Sequence, residues 1–278
     1  MKDYELTKER VDVLAYNQGL FETREQAKRG VMAGIVINSE NGERFDKPGE
    51  KINDEIALAI KGEKLPYVSR GGLKLARALS YFGLTVRDQT TLDIGSSTGG
   101  FTDVMLQDGA KMVYAVDVGT NQLAWKIRQD ARVVVMEQFN FRYAKVEDFK
   151  HELPAFASID VSFISLSLIL PALFDILMTG GDVIALIKPQ FEAGREQIGK
   201  NGIVKDPKIH ESVIKNVVNM ANGIGFSTIG LTSSPIKGGH GNIEFLLHLS
   251  KEATVEDHIT PEISQIVYDA HGELDEKK

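Results

Sequence analysis

The chain has no cysteine, a single tryptophan and no long apolar run. Without cysteine there is no disulfide framework and no thiolate metal site, and a reducing compartment is the default. The longest uncharged apolar run, Val161 to Phe174, is too short to cross a bilayer, contains Pro171 and is bracketed by Asp160 and Asp175. The opening decapeptide, MKDYELTKER, places charges where a signal peptide needs an apolar centre. The expectation is a cytoplasmic protein that does not enter a membrane. Basic residues are also in deficit: 32 Lys and Arg stand against 39 Asp and Glu, for a net charge of −7. That balance argues against a nonspecific coat on nucleic acid and leaves room for a local basic patch. With 278 residues, 42% of them hydrophobic, the chain can bury one large core, or a small and a medium one.

The stretch Leu92-Asp93-Ile94-Gly95-Ser96-Ser97-Thr98-Gly99-Gly100-Phe101 organises the rest. Thr90 to Ile94 reads as a buried strand, the glycines as a bend, and Phe101 to Gln107 as a helix ended by Gly109. A helix opening on such a bend has unpartnered N–H groups, and glycine lets a ligand approach them closely. The acid at Asp93 disfavours a phosphate cradle and favours a ligand with hydroxyls or a positive charge, met directly or through water. A second strand, Met112 to Val116, ends in Asp117, which is placed to accept hydrogen bonds from ribose hydroxyls. This order is a nucleotide-binding βαβ half. Val133 to Met136 is a third strand, and Glu137, Phe139 and Asn140 at its end are candidates for an adenine contact.

Residues 1–64 read as a separate unit. A helix starts after Arg10, with Val11, Leu14 and Ala15 on one face. Thr23 and Gln26 form a capping-box pattern at the start of a second helix. Arg24 and Lys28 share a face of it, with Arg29 beside them. Gly34 ends that helix, Ile35 to Asn38 is a strand, Asn41-Gly42 a turn, and Ile52 to Ile60 suits one last strand. The unit holds slightly more acids than bases, so a solvated helix face competes with a phosphate-contacting one.

After a boundary near Leu65-Pro66-Tyr67, Ser69 is placed to cap a helix bearing Arg70, Lys74 and Arg77 on one side. Asp160 follows an apolar run in which an unpartnered carboxylate is costly to bury. Lys188 ends the fifth strand, Asp182 to Ile187, where open α/β sheets bind ligands. Residues 193–206 read as a mobile loop, Pro207 to Asn222 as a helix, Phe226 to Leu231 and Ile243 to Leu249 as strands, with Glu244 at the start of the last. His240 has no second ligand at metal spacing, so no metal is expected. Residues 251–278 are polar and acidic, helical from Pro261 to Ala270, and without an assigned role.

Resemblances to known families add to this. Arg10-Val11-Asp12, Thr23-Arg24-Glu25-Gln26-Ala27 and Gly34-Ile35-Val36-Ile37-Asn38 resemble the RNA-binding domain named after ribosomal protein S-four, which implies RNA contacts at Arg10, Arg24, Lys28 and Arg29, with Arg70 nearby in sequence to the next unit. The D-x-G-x-x-x-G-G loop looks like the first motif of S-adenosylmethionine-dependent methyltransferases, which implies cofactor contacts at Asp93, Gly95, Ser96, Ser97, Thr98, Gly99, Gly100, Asp117, Glu137 and Asn140. The motifs around Lys74, Asp160, Lys188 and Glu244 resemble the K-D-K-E tetrad of FtsJ-like 2′-O-ribose methyltransferases, and residues 8–250 as a whole resemble the TlyA family. Its members carry both names, haemolysin and ribosomal-RNA (cytidine-2′-O)-methyltransferase. The resemblance implies an α/β fold: a Rossmann-like class I methyltransferase domain over 65–250, with a mostly parallel sheet and helices on both faces, after a small α+β RNA-binding domain over 1–64. It implies S-adenosylmethionine as cofactor, ribosomal RNA or ribosomal subunits as partners, and Lys188 as the base for a ribose hydroxyl. A homodimer is left open. Two other readings are an RNA-binding assembly factor without activity and a membrane-active haemolysin.

Overall fold

Short apolar groups separated by turn residues build the first of two units, Met1–Pro66 and Tyr67–Lys278, in a computed structural model that describes residues 8–39, 41–61 and 66–275. Leu65 and the side chain of His240 lie outside the described residues. In the first unit β1 (Lys8–Arg10) runs straight into α1 (Val11–Asn17), whose Val11, Leu14 and Ala15 are buried. Thr23 Oγ1 accepts the Gln26 N–H at 3.2 Å and starts α2 (Arg24–Met32). The Gln26 side chain reciprocates one residue earlier than a capping box requires, accepting from the Glu22 N–H at 3.1 Å.

Four short strands follow: β2 (Val36–Asn38), β3 (Arg44–Phe45), β4 (Lys51–Asn53) and β5 (Leu58–Ile60). The order β3-β2-β5 makes an antiparallel sheet, and β1 pairs with β4. The single strand expected over Ile52 to Ile60 is therefore two. Asn53 Oδ1 accepts the Glu55 N–H at 3.0 Å and the Ile56 N–H returns to the Asn53 carbonyl at 3.1 Å. This side-chain-assisted turn sends the two halves to different sheets.

The second unit is a seven-stranded sheet with helices on both faces. In chain order it comprises α3 (Gly72–Phe82), β6 (Thr90–Ile94), α4 (Gly100–Gln107), β7 (Met112–Val116), α5 (Trp125–Arg128), β8 (Val133–Met136), β9 (Phe156–Ile159), α6 (Leu170–Ile176), β10 (Asp182–Ile187), α7 (Pro189–Glu192), α8 (Pro207–Ile224), β11 (Ser227–Ser233), β12 (Phe245–Ser250) and α9 (Ile263–Asp275). Ser69 does not cap α3 with its side chain. Its carbonyl accepts the Gly72 N–H at 3.1 Å, and the helix starts from that turn. The sheet order is β11-β12-β10-β9-β6-β7-β8, parallel from β6 to β10, with β12 antiparallel to both neighbours.

Strand alternation sorts the core into two layers. Leu92, Ile94, Tyr114 and Val116 face α6, α8 and α9, while Val113 and Ala115 face α3 and α4. The connection from β6 crosses to β7 on one side, whereas β9 lies on the other. The crevice beyond Ile94 and Ile159 is thus the point where connections diverge, and such a crevice is where open α/β sheets take ligands. Among the described residues no helix is long and apolar enough to cross a membrane, and no cluster of three His, Asp or Glu residues could hold a metal.

The C-terminal residues join this unit. Ile263, Val267 and Ala270 of α9 are buried in the core. His210 of α8 is buried, and its Nδ1 lies 3.0 Å from His271 Nε2 of α9. Burial, reinforced by His271, pushes the His210 imidazole down to about 4. The unfolded chain binds this proton below the usual 6.5 and the folded chain only near 4. The contribution of His210 to stability is therefore complete above pH 6.5 and is lost as pH falls towards 4. Thermal unfolding followed by circular dichroism should show a midpoint that drops across that window, with a shallower drop in His210→Gln. Equal slopes would remove His210 from the acid response.

Candidate active site

Four side chains from scattered positions meet at the crevice. Asp160 directly follows β9 and Lys188 directly follows β10. β12 runs the opposite way, and its Phe245 pairs with Ile187, so Glu244 reaches the same edge from the start of its strand. Lys74 comes from the first turn of α3, which is held to the sheet by buried Leu75, Ala78 and Leu79.

They form one line of alternating charge. Lys74 Nζ donates to Glu244 Oε2 at 2.6 Å and lies 3.7 Å from Asp160 Oδ2. Lys188 Nζ lies 2.6 Å from Asp160 Oδ1 and donates to Ser162 Oγ at 3.0 Å. Lys74, Lys188 and Glu244 are buried, and the Asp160 side chain is 20% exposed. Taking four charges out of water is costly, and alternating pairing is what offsets it. The four line a cavity of about 700 Å³ together with Ser162, Phe163, Phe191 and residues of the 198–202 and 238–242 segments.

A second cavity, of about 330 Å³, adjoins the first and shares Gly95, Ser97, Asp160, Ser162 and Phe163 with it. Gly95 has φ +84°, and a Cβ there would lie 2.6 Å from the Asp160 carbonyl oxygen. Only glycine lets the two strand ends come this close. Ser96, Thr98 and Gly100 also line the larger cavity; Gly99, at φ +91°, opens α4 and lines neither. Asp117 Oδ2 accepts the Ser97 N–H at 2.8 Å and Oδ1 the Gly119 N–H at 2.7 Å. It ties two loops together, and each oxygen keeps capacity for a second bond.

Asp93 and Glu137 depart from the expectation of ligand contact. The Asp93 side chain is fully buried: Thr102 Oγ1 donates to Oδ2 at 2.6 Å, and Ser158 Oγ to Oδ1 at 3.2 Å. It lines neither cavity, because α4 lays Thr102 over it. Burial pushes its carboxyl up to about 7; Asp160 adds to this, and the Thr102 and Ser158 donors oppose it. Glu137 is held below the usual carboxyl range by the Asn121 N–H and by Arg128, with which it forms an ion pair, and it too lines neither cavity. Phe139 and Asn140 do line the smaller cavity; Asn140 Oδ1 also accepts the Arg142 N–H at 3.2 Å.

In the first unit the R-x-D motif is an ion pair. Arg10 forks onto buried Asp12, with Nε to Oδ1 at 2.8 Å and Nη2 to Oδ2 at 3.1 Å, and Arg24 Nε reaches Oδ2 at 3.4 Å. The Arg10 hydrogen bond holds the Asp12 carboxyl below its usual range. Arg29 pairs with Glu25 at 3.6 Å, and Lys28 is exposed. In the second unit Arg70 is exposed beside Ser69 and Gly71, which line the larger cavity; Arg77 is exposed over the Tyr81 ring while Lys74 turns inward.

Ser162, Phe163 and Phe191 were not singled out by sequence. Phe163 is 90% exposed, has φ +64°, and its ring centroid lies 5.0 Å from that of Phe191. An exposed aromatic in a left-handed backbone at the junction of two cavities is unusual for a core-forming residue. Glu192 fixes the neighbouring loop, accepting from the Leu166 N–H at 2.8 Å and Ser165 Oγ at 2.7 Å, and burial pushes its carboxyl up. Only the position of these residues inside the Asp160 and Lys188 motifs could have drawn attention to them.

The FtsJ-like methyltransferase family matches residues 67–251. A Bacillus subtilis (strain 168) protein provisionally named rRNA methyltransferase YqxC is 58% identical over 98% of this chain and 97% of its own length. The 16S/23S rRNA (cytidine-2′-O)-methyltransferase TlyA of Mycobacterium tuberculosis (strain ATCC 25618 / H37Rv) is 39% identical over 86% of this chain and 89% of its own. A solved structure of a provisionally named hemolysin from Streptococcus thermophilus superimposes with a TM-score of 0.79 at 66% identity, covering 98% of both chains.

Proposed function

Since the chain belongs to the FtsJ-like methyltransferase family and its TlyA branch, we propose that it transfers a methyl group from S-adenosylmethionine to the 2′-oxygen of a cytidine in ribosomal RNA. The observation that carries this reading is the buried line Glu244–Lys74–Asp160–Lys188 at a cavity adjoining the glycine loop. The choice of ribosomal RNA and of cytidine rests on the names of the relatives.

The residues present fit the cofactor. Gly95 lines both cavities where they meet, and Asp117 lines the smaller one and keeps acceptor capacity suited to ribose hydroxyls. Gly95, Ser97, Asp117 and Asn140 are the residues proposed to hold it. When bound, S-adenosylmethionine supplies an electrophilic methyl group on a sulfonium. The chain's own task is to bring a ribose hydroxyl up and remove its proton. Lys188 Nζ is the group that takes that proton as the oxygen is methylated. Asp160 Oδ1 and Ser162 Oγ fix Nζ in place from two directions. Lys74, anchored by Glu244, balances Asp160 and is available to hold the nucleotide. Phe163 and Phe191 offer ring faces to a base that has left its stack. The first unit is proposed to contact RNA through Arg10, Arg24, Lys28 and Arg29, and the protein to work in the cytoplasm.

Purified protein should bind S-adenosylmethionine in calorimetry and label ribosomal subunits with its methyl group, the label surviving as a 2′-O-methylcytidine after nuclease digestion. Cofactor binding without any methylated nucleoside would favour an assembly factor. Dye release from liposomes would favour the membrane-active reading.

A further inference from the structure

Helix α9 lies beyond the residues matched by the family, 67–251, yet it is wired into the wall of the larger cavity. The path begins at the histidine pair between α8 and α9. His210 Nε2 lies 3.2 Å from the Val204 carbonyl, and its Nδ1 lies 3.0 Å from His271 Nε2. A carbonyl only accepts, so the proton of the neutral His210 ring sits on Nε2. Nδ1 is then the acceptor, and His271 Nε2 donates to it. The tautomers of both rings follow from the one carbonyl.

Val204 passes the connection on. Its N–H donates to Asn242 Oδ1 at 3.0 Å, and Asn242 Nδ2 donates to the Gly202 carbonyl at 3.0 Å and the Gly239 carbonyl at 3.1 Å. Asn242 is buried; the bonds to Val204 and Gly202 clamp the 199–204 segment to the 238–242 segment, and the bond to Gly239 closes the turn that holds Asn242. Gly202, Gly239 and Asn242 line the cavity, and Glu244 of the charged line is two residues further on. The segment that reads in sequence as a mobile loop is thus fastened at Val204 on both its carbonyl and its amide side.

We propose that His210 is a positioning residue for the acceptor cavity: with His271 behind it, it holds Val204 so that Asn242 can keep the 199–204 segment in place as the cavity wall, making α9 a brace for substrate binding. This rests on the reading of that cavity as the RNA acceptor site. His210 touches no reacting atom. Its effect should fall on RNA binding and spare the cofactor, since Asp117 and Asn140 line the smaller cavity, whose wall includes neither the 199–204 nor the 238–242 segment.

Two near-isosteric variants separate the roles of the ring nitrogens. His210→Gln keeps a donor near the Nε2 position, whereas His210→Asn keeps only a group near Nδ1 and loses the bond to Val204. His210→Asn should raise KM for ribosomal RNA about tenfold, the effect of one lost buried hydrogen bond, with kcat and cofactor Kd near wild type. His210→Gln should restore most of that loss. Equal KM values for the two variants, or an equal loss in cofactor affinity, would overturn the proposal. Amide exchange on the wild-type chain tests the clamp without activity and without any variant. The Val204 N–H should exchange as slowly as the amides of α8, and exchange as fast as that of the exposed Glu196 and Lys200 would overturn the clamp. A wild-type chain that methylates no RNA would refute the functional reading alone, since the exchange result stands apart from it.

Discussion

Lys188→Ala should lower the rate of methyl transfer about 10²–10⁴-fold while cofactor binding stays close to wild type. The side chain lies between Asp160 Oδ1, at 2.6 Å, and Ser162 Oγ, at 3.0 Å, so truncation removes the amine from the point those two atoms fix. Truncation leaves Asp160 with Lys74 Nζ at 3.7 Å, and the Asp160 side chain keeps 20% exposure, so the remaining carboxylate is neither isolated nor wholly dry. The fold should therefore survive. Lys188→Arg sharpens the result. Arginine preserves the charge opposite Asp160 but does not give up its proton, so it should be as inactive as alanine if Lys188 is the base. If the role is only to balance charge, arginine should recover much of the rate. Single-turnover methylation of ribosomal subunits, with calorimetric cofactor binding alongside, reads both quantities. Turnover near the wild-type value in Lys188→Ala would exclude it as the base.

Gly95→Ala should abolish measurable cofactor binding and lower stability. The new Cβ would lie 2.6 Å from the Asp160 carbonyl oxygen and 3.0 Å from its carbon, both backbone atoms at the end of a buried strand. A side chain could rotate away; this carbonyl cannot. The φ of +84° adds a second penalty, about 1–2 kcal/mol for a non-glycine residue in a left-handed conformation. Overpacking of this kind typically costs a further ~1–3 kcal/mol. Relief requires the ends of β6 and β9 to part, which displaces Gly95 and Asp160 from both cavities. Gly180→Ala is the control: Gly180 also has positive φ, +77°, but a Cβ there meets nothing within 4 Å. Comparing the two variants by calorimetry and thermal unfolding separates the backbone penalty from the collision. Gly95→Ala with unchanged cofactor affinity would place the cofactor elsewhere.

The parts of this protein legible in its sequence share a physical cause. β7 and β10 are parallel strands buried on both faces, so they read as apolar runs with sharp ends; their expected limits, and those of β6 and of the half-buried edge strand β8, coincide with those observed. Lys74, Asp160, Lys188 and Glu244 could be picked out by motif, but not their pairing. Only the antiparallel β12, which sets Phe245 against Ile187, puts Glu244 within reach of Lys74 and leaves Asp160 to Lys188.

Elsewhere local bonding defeated the pattern. The alternation over Ile52 to Ile60 keeps its phase across Asn53-Asp54-Glu55, where a turn assisted by the Asn53 side chain divides it. Asp93 has the spacing of a ligand-binding acid, yet Thr102 from the next helix covers it, a burial that no spacing reveals. Arg24 reads as part of a basic helix face with Lys28 and Arg29, and the resemblance implies an RNA contact at Arg10, but a buried Asp12 engages both arginines. Phe163 depends on a left-handed backbone that an aromatic residue does not advertise.

The central claim is that this chain methylates a ribose oxygen of ribosomal RNA with Lys188 as the base. Mapping 2′-O-methyl groups across ribosomal RNA from cells with the wild-type chain, without it, and with Lys188→Ala in its place tests it most directly. The account predicts a cytidine methylated in the first and unmethylated in the other two. Identical maps in all three would contradict it.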